Sequence, residues 1–132
     1  IDMIVQNTPT GSDVTDRVSD IGFTCPKSET KKVAAALESA KASLGFRTVE
    51  IDEEIGKLSV VGAGMRTHSG VSATMFRALA EAGINIEMIS TSEIRISVIT
   101  SDDQVDAAAR AVHTAFGLDS DVEAVVYAGT GR

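Results

Sequence analysis

Apolar residues along the chain form short runs that alternate with longer alanine-rich stretches. The runs are rich in β-branched residues, which is typical of strands. They are IDMIVQN (1–7), DIGFTC (20–25), KLSVVGAG (57–64), IEMISTS (86–92) and RISVIT (95–100). The longer stretches space their apolar residues along one helical face. These positions are Val33, Ala36, Leu37, Ala40 and Leu44 in one stretch, and Val105, Ala108, Ala109, Val112 and Phe116 in the other. The pattern predicts a mixed α+β fold.

The two halves of the chain repeat one another in order. In each half, two strand-like runs precede a helical stretch that stops at a glycine, Gly45 or Gly117. A further strand-like run follows, at Arg47–Ile51 in the first half and at Glu123–Ala128 in the second. The repeat predicts two equivalent modules, residues 1–54 and residues 55–132.

The second module shows a complete set of elements. Its strand at 57–64 leads into a helix with Val71, Met75, Leu79 and Ala82 on one face, which gives the order strand, helix, strand, strand, helix, strand. Ser69 is the predicted N-cap of this helix, and Gly83 its predicted stop. Right-handed crossovers arrange this order as a ferredoxin-like antiparallel sheet with both helices on one face. The first module begins at its third element, so we expect its first strand and helix upstream of Ile1.

The sheet of the second module is apolar on both faces. Ile86 and Met88 point to one face and Ile89 to the other. We therefore expect sheets to pack against each other within the chain, between chains, or both.

Composition and charge exclude several classes of protein. The 132 residues carry a net charge of −7, which argues against nucleic-acid binding. No apolar run approaches the roughly 20 residues of a membrane span, and no secretion signal opens the chain, so we expect a cytoplasmic protein. The lone Cys25 fits a reducing compartment. Because the chain begins with Ile rather than Met, we expect a processed piece or a fragment.

Candidate catalytic and metal-binding residues are few. His68 and Ser69 are sequence neighbours, which seldom face each other as a triad requires. His113 falls on a helix as a surface residue, and Cys25 falls in a strand as a packing residue. We therefore predict no catalytic residue and no metal site. The segment Gly62-Ala63-Gly64 fits either a tight turn or a loop that admits a small anion to a helix start.

A second group of polar residues lies near the strand ends. Asn85 and Glu93 bracket one strand, and Gln6 occupies the equivalent strand of the first module. Such side chains either cap strands or hold the ammonium and carboxylate groups of a free amino acid. The residue types alone leave both interpretations open.

Three longer segments identify a family. GKLSVVGAGMRTHSGVSATMF, NIEMISTSEIRISV and the terminal VYAGTGR closely resemble the C-terminal regulatory region of bacterial aspartokinases, and STSEIRIS (90–97) is the most specific part. The resemblance implies two βαββαβ ACT domains, which bind free amino acids, and covers essentially the whole chain. In many relatives this region is also made as a separate β subunit.

The resemblance also implies a function. Aspartokinases transfer phosphate from ATP to the side-chain carboxylate of L-aspartate, and their ACT domains bind end-product threonine, lysine or both to inhibit the kinase. The kinase domain, which would hold ATP and Mg²⁺, precedes the ACT pair, so we expect this chain to lack the active site. The implied partners are threonine or lysine, the catalytic domain or α subunit, and a second copy in a homodimer formed through ACT domains.

The resemblance also implies which residues of this chain correspond to the family's effector-binding residues. A threonine-type site is implied at Gln6, Asn85 and Ile86, where one ACT domain meets another. A lysine-type site is implied at Met65, Val71, Ser72, Ser92 and Glu93. The chain departs from the family pattern in its longer loop from Thr8 to Ser19 with Pro9, at Gly22, and at Ser69, which replaces a proline.

Two other functions stay open. One is a stand-alone ACT module that senses an amino acid for another enzyme or regulator. The other is a small ferredoxin-like hydrolase, for which Arg66 in a strand-to-helix loop is the candidate anion-binding residue.

Overall fold

The computed structural model describes residues 1–7, 19–66 and 69–120. Most of the loop with Pro9, the pair Thr67-His68, the predicted strand at 123–128 and the terminal VYAGTGR motif lie outside the described residues. The chain divides into two compact units, Ile1–Glu53 and Glu54–Arg132. Each unit is described by itself below.

The first unit contains an antiparallel strand pair. Strand β1 (Ile4–Asn7) pairs with β2 (Asp20–Phe23), so that Ile4 lies opposite Phe23. The contact continues past the strand ends, because Thr24 Oγ1 accepts a hydrogen bond from the Met3 N–H at 3.1 Å. Cys25 therefore follows β2 and is half-buried after it, rather than within a strand as predicted.

Helix α1 (Thr30–Leu44) follows and ends as the sequence predicts. Gly45 adopts a left-handed φ of 70°, and its N–H bonds the carbonyl of Lys41 at 2.9 Å. No residue of α1 is fully buried. The prediction of a strand at Arg47–Ile51 is wrong. A strand needs a hydrogen-bonded neighbour, and in the described part of this unit the sheet contains only β1 and β2.

The second unit has strands β3 (Ile55–Val61), β4 (Met88–Thr91) and β5 (Arg95–Ser101), and helices α2 (Val71–Glu81) and α3 (Val105–Ala115). The strands form an antiparallel sheet in the order β3-β5-β4. This order, with one helix after β3 and one after β5, is the ferredoxin-like ACT arrangement over the described residues. The predicted α+β class is confirmed.

The core of the second unit lies between the sheet and both helices. Its fully buried residues include Met75 and Leu79 from α2 and Val98 from β5, each with 0% of its side chain exposed. Ala108 and Val112 of α3 complete the cluster. Ile96 and Val98 lie on the same face of β5. Residues of both helices pack against them in this cluster, so both helices cover one face of the sheet, as predicted.

Several element ends differ from the prediction for local reasons. Strand β3 ends at Val61 because its partner β5 begins opposite, at Arg95, and residues Ala63–Arg66 form a 3₁₀ turn instead. Strand β4 is shorter than the run at 86–92. The N-cap of α2 is Gly70, with a φ of 96° and no side-chain cap, so the Ser69 prediction is wrong by one position. Gly83 and Gly117 have φ values of 70° and 66° at the helix ends, as predicted.

Gly56 offers a test of this packing. A Cβ built on Gly56 would collide with the Val105 side chain at the start of α3. We expect Gly56→Ala to lower the free energy of unfolding by about 1–3 kcal/mol, the usual cost of overpacking, in a urea titration. Gly62→Ala is the matched control, because nothing lies within 4 Å of its added Cβ. An equal loss in both variants would contradict this explanation, as would a failure of Val105→Ala to restore stability to Gly56→Ala.

Candidate functional site

The turn between β4 and β5 carries the first part of the candidate site. Ser92 donates its backbone N–H to the Arg95 carbonyl at 2.7 Å and accepts the Ile94 N–H on its side-chain Oγ at 3.4 Å. The carbonyl of Ile94 accepts the Gly62 N–H at 2.9 Å. These bonds hold the turn next to the end of β3 and position Ser92 within it.

The start of helix α2 carries the second part. The first N–H groups of any helix have no acceptor within the helix, and the helix dipole makes this end partly positive. The first turn of α2 contains no acidic side chain, and Gly70 supplies no side-chain cap. The N–H groups at Val71 and Ser72 are therefore suited to an anionic group of a ligand.

These two parts line one cavity within the second unit. Its volume is about 310 Å³, a size that admits a free amino acid. Its lining combines hydroxyl-bearing and apolar side chains and contains no acidic or basic residue. The lining residues are Met65, Ser69, Gly70, Val71, Ser72, Thr91, Ser92 and Ile96.

The cavity gathers most of the predicted lysine-type residues. Met65, Val71, Ser72 and Ser92 all line it, although the first and last are far apart in sequence. Glu93 follows Ser92 on the turn, is exposed, and is not among the lining residues. The part of the lysine-type prediction that concerns Glu93 therefore stays a prediction.

Some lining residues were not predicted as effector-binding residues. Thr91 and Ile96 lie within the STSEIRIS segment that carries the family resemblance, so the segment contained a signal for both. Ser69 was predicted as a helix cap and instead lines the cavity. Only the fold shows that these side chains reach the same space as Val71 and Ser72.

The predicted threonine-type residues lie on both units. Gln6 is exposed on β1 in the first unit. In the second unit, Asn85 is exposed and Ile86 is half-buried in the connection between α2 and β4. The side chain of Ile86 packs against the core cluster. A site that uses these three residues together stays a prediction.

The other candidate residues lie away from this cavity. His113 is exposed on α3, as predicted for a surface residue. The Thr114 hydroxyl donates to Asp119 Oδ2 at 2.6 Å, and this bond lowers the pKa of the Asp119 carboxyl below its ordinary 3.8. Among the described residues, no three His, Cys, Asp or Glu side chains come together to hold a metal ion. The same residues include no helix long and apolar enough to cross a membrane.

Comparison with known proteins places this geometry in a family. Residues 58–116 match the ACT domain family. The chain is 42% identical to the regulatory subunit of aspartate kinase from Thermus thermophilus in its ligand-free form; the match covers 87% of this chain and 72% of that one, with a TM-score of 0.75. A structure of aspartokinase alpha and beta subunits is 41% identical, over 88% of this chain and 72% of that one, also with a TM-score of 0.75. The chain belongs to the aspartokinase family.

Within the aspartokinase family, the chain corresponds to the regulatory ACT-domain part. It is 54% identical to the aspartokinase of Mycolicibacterium smegmatis over all of its length, but spans only 31% of that protein. The family predicted from the STSEIRIS and GKLSVVGAG segments is therefore confirmed. The activity of a complete aspartokinase is a proposal for this chain, because the match covers less than a third of such a protein.

Proposed function

We propose that this chain is the end-product sensor of an aspartokinase and binds free amino acids for feedback inhibition. The observation that carries the proposal is the cavity of about 310 Å³, where the open start of α2 faces the serine-bearing turn of the β4–β5 hairpin. The membership of the chain in the regulatory part of the aspartokinase family supports the same conclusion.

The cavity would bind the α-carboxylate, which all free amino acids share, through hydrogen bonds. In this proposal the α-carboxylate binds at the start of α2. The N–H groups of Val71 and Ser72 and the Ser72 hydroxyl would be its donors. Ser92, on the β4–β5 turn, supplies a further hydroxyl to the cavity. Met65 and Ile96 provide apolar surface for the aliphatic part of the ligand.

Lysine is the proposed ligand of this cavity because of Glu93. The lining residues are uncharged, so the side-chain ammonium of a bound lysine would need an acidic partner outside the lining. Glu93 adjoins Ser92 and is exposed. Threonine is the proposed ligand of the second site, with Gln6 and Asn85 supplying amide groups and Ile86 beside them.

Inhibition follows from linkage between ligand binding and domain arrangement. A ligand held where ACT domains of two chains meet stabilises only the arrangement that closes its site, and so favours the inhibited form of the attached catalytic domain. The proposed partners are that catalytic domain or α subunit and a second copy of this chain. ATP and Mg²⁺ belong to the catalytic partner, and the proposed compartment is the cytoplasm.

Calorimetry with lysine and threonine, singly and mixed, tests the assignment in the full-length gene product. Gln6→Ala is expected to weaken threonine binding about twofold to tenfold, the usual effect of losing one hydrogen-bonding group, and to leave lysine binding unchanged. Asn7→Ala is the control, because the next residue on a strand points to the opposite face. Unchanged threonine affinity in Gln6→Ala would remove Gln6 from the site.

A further inference from the structure

The buried hydroxyl of Thr100 is hydrogen-bonded to the segment that contains Asn85, a residue of the proposed threonine site. Thr100, on β5, has 0% of its side chain exposed, and its Oγ1 donates to the backbone carbonyl of Asn85 at 2.8 Å. The Gln104 side-chain oxygen lies 3.5 Å from the same hydroxyl, at the limit of a hydrogen bond. The bond to Asn85 is therefore the main one that this hydroxyl makes.

The segment that contains Asn85 joins α2 to β4 and is held at three points. The Ile84 N–H bonds the Leu79 carbonyl at 2.9 Å, and the Glu87 N–H bonds the Ile99 carbonyl at 2.9 Å. The third point lies between these two backbone bonds and is the side-chain hydrogen bond from the Thr100 hydroxyl to the Asn85 carbonyl. Strand β4 begins after this segment, at Met88.

We infer that Thr100 is a positioning residue for the amino-acid site that contains Asn85 and Ile86. The inference rests on the proposed function. Asn85 is exposed while its backbone carbonyl is bonded to the buried Thr100 hydroxyl. The bond fixes the backbone of Asn85, so that less conformational entropy is lost at this residue when a ligand binds. Thr100 itself is fully buried and acts only through the segment.

Thr100→Val tests the inference, since valine keeps the shape of the side chain and removes the hydroxyl. In the full-length gene product we expect threonine affinity, measured by calorimetry, to fall about threefold to tenfold, while lysine affinity stays unchanged. Thr100→Ser retains the hydroxyl and is expected to keep wild-type threonine affinity. Hydrogen exchange at the amides of residues 85–87 is expected to accelerate in Thr100→Val without any ligand, and to stay at the wild-type rate in Thr100→Ser.

Ser97→Ala is the matched control for lost stability. Ser97 is also buried on β5, with 3% exposed, and its hydroxyl lies 2.8 Å from that of Ser59. Its replacement also removes a buried hydroxyl, but leaves the Asn85 segment fastened. Unchanged threonine affinity in Thr100→Val would overturn the inference, as would an equal loss of lysine affinity or an equal loss of threonine affinity in Ser97→Ala. If the wild type binds no threonine, the proposed threonine site fails, and the exchange rates still decide whether Thr100 holds the segment.

Discussion

Under the proposed lysine-sensing function, Ser92→Phe in the full-length gene product is expected to abolish inhibition by lysine. Because Ser92 lines the cavity of about 310 Å³, a phenyl ring at this position would enter the space that the ligand needs. Coupling between effector and active site is typically worth about 1–3 kcal/mol, so inhibition of about 5–150-fold would be lost. The measurement is kinase activity with aspartate and ATP over a lysine titration.

The fold should survive this change. Ser92 is exposed, and its side chain contributes one long hydrogen bond to the Ile94 N–H, so the free energy of unfolding should change by about 1 kcal/mol or less. Ser90→Phe is the control, because Ser90 is an exposed serine of the same hairpin that does not line the cavity. Retained lysine inhibition in a folded Ser92→Phe protein would count against the cavity as the lysine site.

Leu79→Ala is expected to produce the largest loss of stability. Leu79 is fully buried where α2 meets the sheet and α3. Truncating such a side chain removes its burial and leaves a cavity, at a cost of about 2–5 kcal/mol in the free energy of unfolding. Urea unfolding followed by circular dichroism measures this loss.

Leu44→Ala provides the comparison within the same protein. Leu44 ends α1 with 68% of its side chain exposed, so its truncation should change the free energy of unfolding by no more than about 0.5 kcal/mol. Similar losses for both leucines would contradict the difference in burial between Leu79 and Leu44.

Local signals predicted most of the described elements. Apolar positions at helical spacing identified α1, α2 and α3, and Gly45, Gly83 and Gly117 marked their ends, because only glycine adopts a positive φ without strain. The strand at Arg47–Ile51 failed for a reason that no local signal contains. Its β-branched residues suit a strand, but a strand forms only where a neighbour accepts and donates its backbone hydrogen bonds.

The candidate site was predicted in part, through the family resemblance. That resemblance named Met65, Val71, Ser72 and Ser92, which line one cavity, and also Glu93, which follows Ser92 in the sequence and is not among the lining residues. It did not indicate Ser69 or Gly70, because the position at which a chain enters a helix depends on backbone angles that composition does not fix. Thr100 gave no signal either, since a threonine in a strand is an ordinary residue until its hydroxyl is found against Asn85.

The sequence by itself determined the class of fold, the acidic character and the family, because these depend on periodicity, composition and contiguous motifs. Only the tertiary structure decided that the α2 start and the β4–β5 turn share a cavity, that Gly70 rather than Ser69 caps the helix, and that a buried hydroxyl holds Asn85. The physical reason is distance along the chain. Val71 and Ser92 meet only because β5 pairs with both β3 and β4 while α2 packs across that sheet, and this packing is a property of the whole unit.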